Sequence, residues 1–180
     1  IAEAIKRLAV DHLHIVGDIF DRGPRADIVM DELCAHHSVD VQWGNHDILW
    51  MGAARGSRTL VATVLSNSIH YNNLDVIETG YGISLRPLSI FANEVYKDCD
   101  TSCFKVKLTG PDADEYTEKD KLLSARMYKA ITIILFKLEG QKILRRPEYK
   151  MEDRLLLNMI DYEKGTITLK GKEYELLDCD

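Results

Sequence analysis

The chain has 180 residues, 46% hydrophobic and 29% charged, which supplies a core and a solvated surface. Its 23 basic and 29 acidic side chains leave a formal net charge of −6, which argues against a general nucleic-acid binder, since such proteins need a basic face to displace counterions. The longest apolar stretch, Ala130 to Phe136, is far too short to span a bilayer, and no cleavable leader is visible at the Ile1 start.

In chain order, a helix is predicted over Ala2 to Leu8. Next come two short β-prone runs, His12-Leu13-His14-Ile15-Val16 and Val39-Asp40-Val41-Gln42-Trp43, each stopped by glycine. Between them Ala26 to His37 reads as a helix, with Asp27 near its start and Ile28, Val29 and Leu33 as an apolar stripe. Strand, helix and strand form one βαβ unit, so the strands are expected parallel, with both carboxyl ends at the edge where open α/β sheets bind ligands. Two chemistry-bearing clusters stand at those ends: Gly17-Asp18-Ile19-Phe20-Asp21-Arg22-Gly23 and Gly44-Asn45-His46-Asp47.

The side chains suit a divalent cation and a phosphate. Asp18 offers a carboxylate able to bridge metals and Asn45 a neutral amide oxygen, and a metal pair clamps a phosphate and makes hydroxide from water. Histidine is the one nearby side-chain type that ordinarily donates a proton near neutrality. His46 is therefore the candidate acid, with Asp21 as the carboxylate that orients it and holds it as imidazolium. Arg22 presents a planar fork to phosphate oxygens. Arg55 and Arg58 are candidates for a second phosphate, against the plainer reading of solvated arginines at a helix junction. Asp47 reads as a cap for a helix starting near Ile48 rather than as a metal ligand. His70 reads as a helix-surface histidine more readily than as a ligand.

Downstream the chain is mainly helical, with candidates over Ile48 to Arg55, Thr59 to Asn72 and Leu85 to Lys97, the last carrying Pro87 in its first turn. Leu60, Val64, Leu65 and Ile69 form an apolar face read as buried. Residues 98–121 are polar, with a turn at Gly110-Pro111-Asp112, and read as an exposed insertion or linker. Helices follow over Ser124 to Leu138 and Glu152 to Tyr162. A hairpin closes the chain, Thr166 to Lys170 and Glu173 to Leu176, with Gly171-Lys172 as a glycine-first turn. Cys34, Cys99, Cys103 and Cys179 make no paired metal pattern and read as reduced thiols.

The blocks Gly17 to Gly23 and Gly44 to Asp47 resemble those of the calcineurin-like metallophosphoesterases. More specifically, Val16 through Pro24, Gln42 through Ala54, Tyr71-Asn72-Asn73-Leu74, Gly80-Tyr81-Gly82-Ile83, Leu85-Arg86-Pro87-Leu88 and Arg146-Pro147-Glu148-Tyr149 resemble the class III fructose-1,6-bisphosphatases of bacteria, whose members are much longer. The resemblance implies hydrolysis of fructose 1,6-bisphosphate in gluconeogenesis, a dinuclear manganese site and a cytoplasmic enzyme, with no membrane or nucleic-acid partner and a homo-oligomer admitted.

It also implies an α/β fold: part of an αββα sandwich over residues 1–97, the linker over 98–121, and a helical extension with the hairpin over 122–180. The family's Asp-x-His strand and later histidine motifs have no match, since Asp11 and His14 have the wrong spacing and His70 is the last histidine. The chain is therefore expected to be an internal fragment holding part of the site. Protein serine/threonine phosphatases and dinucleoside polyphosphate hydrolases share the Asp-Arg-Gly block, but usually carry arginine before Gly-Asn-His and glutamate after it, where Trp43 and Asp47 stand here. An inert folding or oligomerisation module is the third expectation.

Overall fold

The structure, a computed structural model, describes residues 2–108 and 116–176, so the turn expected at 110–112 and Cys179 lie outside the described residues. It is a mixture of helices and small sheets that divides into two units, residues 1–85 and 86–180. The helix after Leu85 lies in the second of these units. Among the described residues no helix is long and apolar enough to cross a membrane.

In the first unit, helix α1 (Ala2–Ala9) precedes strand β1 (Leu13–Ile15), helix α2 (Ala26–Ala35) and strand β2 (Val39–Val41). The strands are parallel, with Leu13 opposite Val39, His14 opposite Asp40 and Ile15 opposite Val41, as the βαβ reading requires. A side-chain clasp joins them: the Asp40 carboxylate meets His12 at 2.5 Å and His14 at 2.8 Å. The His14 contact, then that of His12, lowers the Asp40 pKa. The clasp's contribution is thus present above the usual aspartate range and lost as pH falls through the lowered value. At the start of α2, Arg25 reaches the buried Asp27 at 2.7 Å, and a Cβ on Gly80 would lie 2.7 Å from the Asp27 carboxyl carbon. Gly80 ends a single π-helical turn, Val76–Gly80, which lies over α2.

Helices α3 (Asn45–Ala54) and α4 (Arg58–His70) pack as a pair. Their corner turns at Gly56, with φ 86°, and the Ser57 hydroxyl accepts the Leu60 N–H to cap α4. Gly52 faces Leu60 with no room for a Cβ, so the two helices meet closely there. Val64 and Ile69 are buried, while Leu60 and Leu65 are half-buried, which fits the apolar face read from their spacing. Helix α3 begins three residues earlier than its pattern suggests. Asn45 and His46 therefore stand on its first turn rather than in a preceding loop.

In the second unit α5 (Arg86–Val95) packs on α6 (Glu118–Arg145), a helix of 28 residues that exceeds the expected span at both ends. Its early start follows from a reciprocal cap, in which the Asp120 N–H donates to the Thr117 hydroxyl and the Thr117 N–H to the Asp120 carboxylate. The helical end of the expected linker is thus part of α6. The described portion after α5 is also held: Arg126 donates to Asn93 and to the Lys97 carbonyl, and the buried Lys129 to the Asp100 carbonyl. Cys34, Cys99 and Cys103 are free thiols.

The helix expected over Glu152 to Tyr162 is absent. Short 3₁₀ turns at Glu152–Arg154 and Leu156–Met159 lead instead into strand β3 (Ile160–Asp161), because Ile160 pairs with Ile167 and this tertiary pairing overrides local propensity. Strands β4 (Thr166–Leu169) and β5 (Lys172–Glu175) form the hairpin and complete a three-stranded antiparallel sheet. Leu169 faces Lys172, so the turn is Lys170-Gly171, with φ of 49° and 77° and glycine second rather than first. That is the pattern Asn-Gly fills best. Lys170→Asn is expected to slow amide exchange of β4 about twofold to fivefold, the equivalent of ~0.5–1 kcal/mol, in a hydrogen-exchange measurement.

Candidate active site

The ends of β1 and β2 are brought together by glycine. After Val16 the chain passes through two consecutive left-handed residues, Gly17 at φ 95° and Asp18 at φ 53°. A Cβ on Gly17 would overlap the Gln42 carbonyl and lie 2.6 Å from the Gly44 nitrogen, so only a glycine lets the two blocks touch. Asp18 tolerates its positive φ as aspartate does better than most residues, and its carboxylate accepts the His46 N–H at 3.2 Å, at the positive end of α3. Gly44 lies beneath that carboxylate, and a Cβ there would overlap it. Gly44→Ala is therefore expected to push Asp18 off the helix end and speed amide exchange at His46 at least about tenfold, read by hydrogen exchange.

Asp47 joins the two blocks. It is fully buried, and its carboxylate accepts three backbone N–H groups: Asp18 at 2.6 Å and Gly44 at 2.9 Å on Oδ2, and Phe20 at 3.1 Å on Oδ1. Asp47 stands at the third position of α3 rather than ahead of a helix from Ile48 as read from sequence, and its Gly44 bond is the return half of a capping box. The bonds to Asp18 and Phe20 are not legible locally, because their donors lie 29 and 27 residues earlier. The Phe20 ring is pinned as well, stacking on Trp50 of α3 at 4.7 Å.

Asp21 stands between Arg22 and His46. Arg22 donates to it through Nε to Oδ1 and through a terminal nitrogen to Oδ2, both at 2.9 Å, and His46 Nε2 lies 3.2 Å from the same Oδ1. The Arg22 hydrogen bond, reinforced by the His46 and Arg22 charges against the opposing effect of burial, holds the Asp21 pKa below the usual aspartate value. The carboxylate is thus ionised at neutral pH. The contacts contribute above the unfolded pKa and are lost as pH falls through the lowered one. Asp21 raises the Arg22 pKa in turn, so the guanidinium keeps its charge at any working pH. These groups line a cleft with Asn67, Tyr71 and Asn73 of the α4 end.

Of the residues singled out in sequence, Asp18, Asp21, Arg22 and His46 converge, and Asn45 adjoins them as the exposed first residue of α3. Arg55 and Arg58 do not join them. They lie at the far end of α3, roughly 15 Å of helix from His46 at the usual rise. His70 is the last residue of α4, its ring edge-on to Tyr71 at 4.7 Å. Asp18 and Asn45 offer oxygens of the kind hard divalent metals take, but among the described residues no group of three or more His, Cys, Asp or Glu could hold a metal ion. The donors fit such an ion only in part.

The sequence is 57% identical over 179 residues to the fructose-1,6-bisphosphatase class 3 of Alkaliphilus metalliredigens, covering 99% of this chain and 27% of that protein. It is 56% identical to that of Clostridioides difficile, covering 99% and 26%, and 59% identical to that of Listeria monocytogenes, covering 97% and 26%. The chain thus spans about a quarter of the length of these relatives. No solved structure matches it. The family model described as Firmicute fructose-1,6-bisphosphatase matches residues 1–180, and the chain belongs to that family.

Proposed function

We propose that this chain is one portion of the active site of a longer, metal-dependent fructose-1,6-bisphosphatase, a cytoplasmic enzyme of gluconeogenesis built on a calcineurin-like αββα sandwich. The observation that carries this reading is the shared Asp21 carboxylate, which ties a histidine and an arginine into one cluster at the paired ends of β1 and β2. Asp18 and Asn45 hold manganese together with donors from outside this chain. The metal, when bound, supplies charge neutralisation and an activated water.

The chain's own residues do the rest. Arg22, fixed in place by Asp21, grips phosphate oxygens, and His46, oriented by Asp21, delivers a proton to the leaving sugar oxygen. The Asp47 bonds keep both groups in register before substrate arrives. The partial donor set supports a second statement, that the 180-residue chain alone turns over no substrate.

The test is manganese-dependent phosphate release from fructose 1,6-bisphosphate by the chain and by its full-length parent, beside a phosphopeptide. Release by the parent alone, from the sugar bisphosphate, is the expected result. Phosphopeptide turnover would favour a protein phosphatase, and no turnover by either would sink the reading.

A further inference from the structure

The segment leaving α4, Tyr71-Asn72-Asn73, lies outside the blocks at Gly17 to Gly23 and Gly44 to Asp47, and it meets the loop that carries Arg22. Helix α4 stops in a Schellman turn: the Asn73 N–H bonds back to the Ser68 carbonyl at 2.8 Å, and the Asn72 N–H to the Ile69 carbonyl at 3.1 Å. Asn72 occupies the left-handed position at φ 54°, one that asparagine tolerates and a β-branched residue does not. This reversal delivers two side chains to the loop after β1. The Tyr71 ring lies 5.0 Å from the Arg22 guanidinium carbon, and the Asn73 amide donates to the Gly23 carbonyl at 3.2 Å, fifty residues away in sequence.

Arginine is a long side chain that loses much rotamer freedom when it must hold one pose. Asp21 holds Arg22 through a carboxylate whose Oδ1 also lies 3.2 Å from His46 Nε2, so a shift of that carboxylate reaches both side chains. A ring beside the guanidinium and a clamp on the next carbonyl fix Arg22 from a second direction.

We propose that Tyr71 and Asn73 are positioning residues for Arg22, presenting its guanidinium to a phosphate in a pose set before binding. The proposal rests on the reading of Arg22 as the phosphate grip. It differs from mere packing in what it predicts: the effect falls on phosphate affinity and disappears when Arg22 is absent.

The experiment uses the full-length parent with manganese. It reads steady-state hydrolysis of fructose 1,6-bisphosphate, and calorimetric titration with inorganic phosphate on the same proteins. Tyr71→Leu is expected to raise KM and the phosphate dissociation constant about tenfold, with kcat within about threefold, while Tyr71→Phe, which keeps the ring and loses only the hydroxyl's hydrogen bond to Arg22, brings KM back to within about threefold of wild type. In an Arg22→Ala background Tyr71→Leu adds nothing further.

A full tenfold effect in that background, unchanged phosphate affinity in Tyr71→Leu, or a loss confined to kcat would overturn the proposal. Where Tyr71→Leu does not fold, Asn73→Ala carries the test, with a rise in the phosphate dissociation constant of about threefold that again vanishes without Arg22. Absence of sugar-bisphosphate turnover by the wild type sinks the functional reading alone, since the phosphate titrations still decide the coupling of Tyr71 to Arg22.

Discussion

His46→Asn in the full-length parent is expected to cut kcat by at least about a hundredfold while the fold is retained. Two contacts of His46 separate these outcomes. Its backbone N–H donates to Asp18, and asparagine keeps that bond, so the end of α3 and the Asp18 carboxylate stay where they are. Its imidazole, about a quarter exposed, lies 3.2 Å from Asp21, and asparagine cannot transfer a proton from that position. KM should change little, because the phosphate grip belongs to Arg22. Asp21→Asn gives a different pattern, since the same carboxylate also holds Arg22 through two bonds: kcat falls and KM rises together. Steady-state kinetics with circular dichroism as a fold control decides the matter, and turnover by His46→Asn within a few-fold of wild type would remove His46 from the chemistry.

What the sequence made legible follows the range of each interaction. The βαβ unit was readable because alternation and glycine stops are local signals, and the parallel pairing of Leu13 with Val39 follows from them, whereas of the apolar stripe read on α2 only Leu33 is buried and Ile28 and Val29 stand exposed. The convergence of Asp18, Asp21, Arg22 and His46 followed from the placement of two blocks at neighbouring strand ends. Where a contact joins distant residues, pattern gave no warning. Tyr71 and Asn73 reached the Arg22 loop through a helix stop at His70, with Asn72 in a left-handed turn where its pattern reads as the end of a helix. The 3₁₀ turns and strand after Pro147 replaced a plausible helix because Ile160 found Ile167. Helix α6 overran its expected start through the Thr117–Asp120 cap, where aspartate takes the place of the usual glutamate or glutamine. Asp47 shows the boundary most clearly: its place near a helix start was readable, while its position inside the first turn and its bonds to the first block were not.

Those bonds make Asp47→Ala the substitution with the largest expected cost to local structure, on the order of 3–5 kcal/mol, because a buried carboxylate accepting three backbone donors is removed and those donors lose their acceptor. Asp47→Asn separates charge from shape. The carboxylate places Oδ2 between the Asp18 and Gly44 donors and Oδ1 before the Phe20 donor, whereas an amide has only one oxygen. Oriented to serve Asp18 and Gly44, it turns its own NH₂ toward the Phe20 N–H, so one bond becomes a donor–donor clash at about 1–3 kcal/mol. The order of loss is therefore Ala beyond Asn. Amide exchange should report it site by site: in Asp47→Asn protection falls chiefly at Phe20, and in Asp47→Ala at Asp18, Phe20 and Gly44 together. Activity of the parent should follow the same order, since Asp18 and the Asp21–Arg22 pair lie on the loop these bonds hold. Equal protection in both variants, or wild-type turnover in Asp47→Ala, would show that the loop keeps its pose by the Phe20–Trp50 stack and the Asn73 clamp alone.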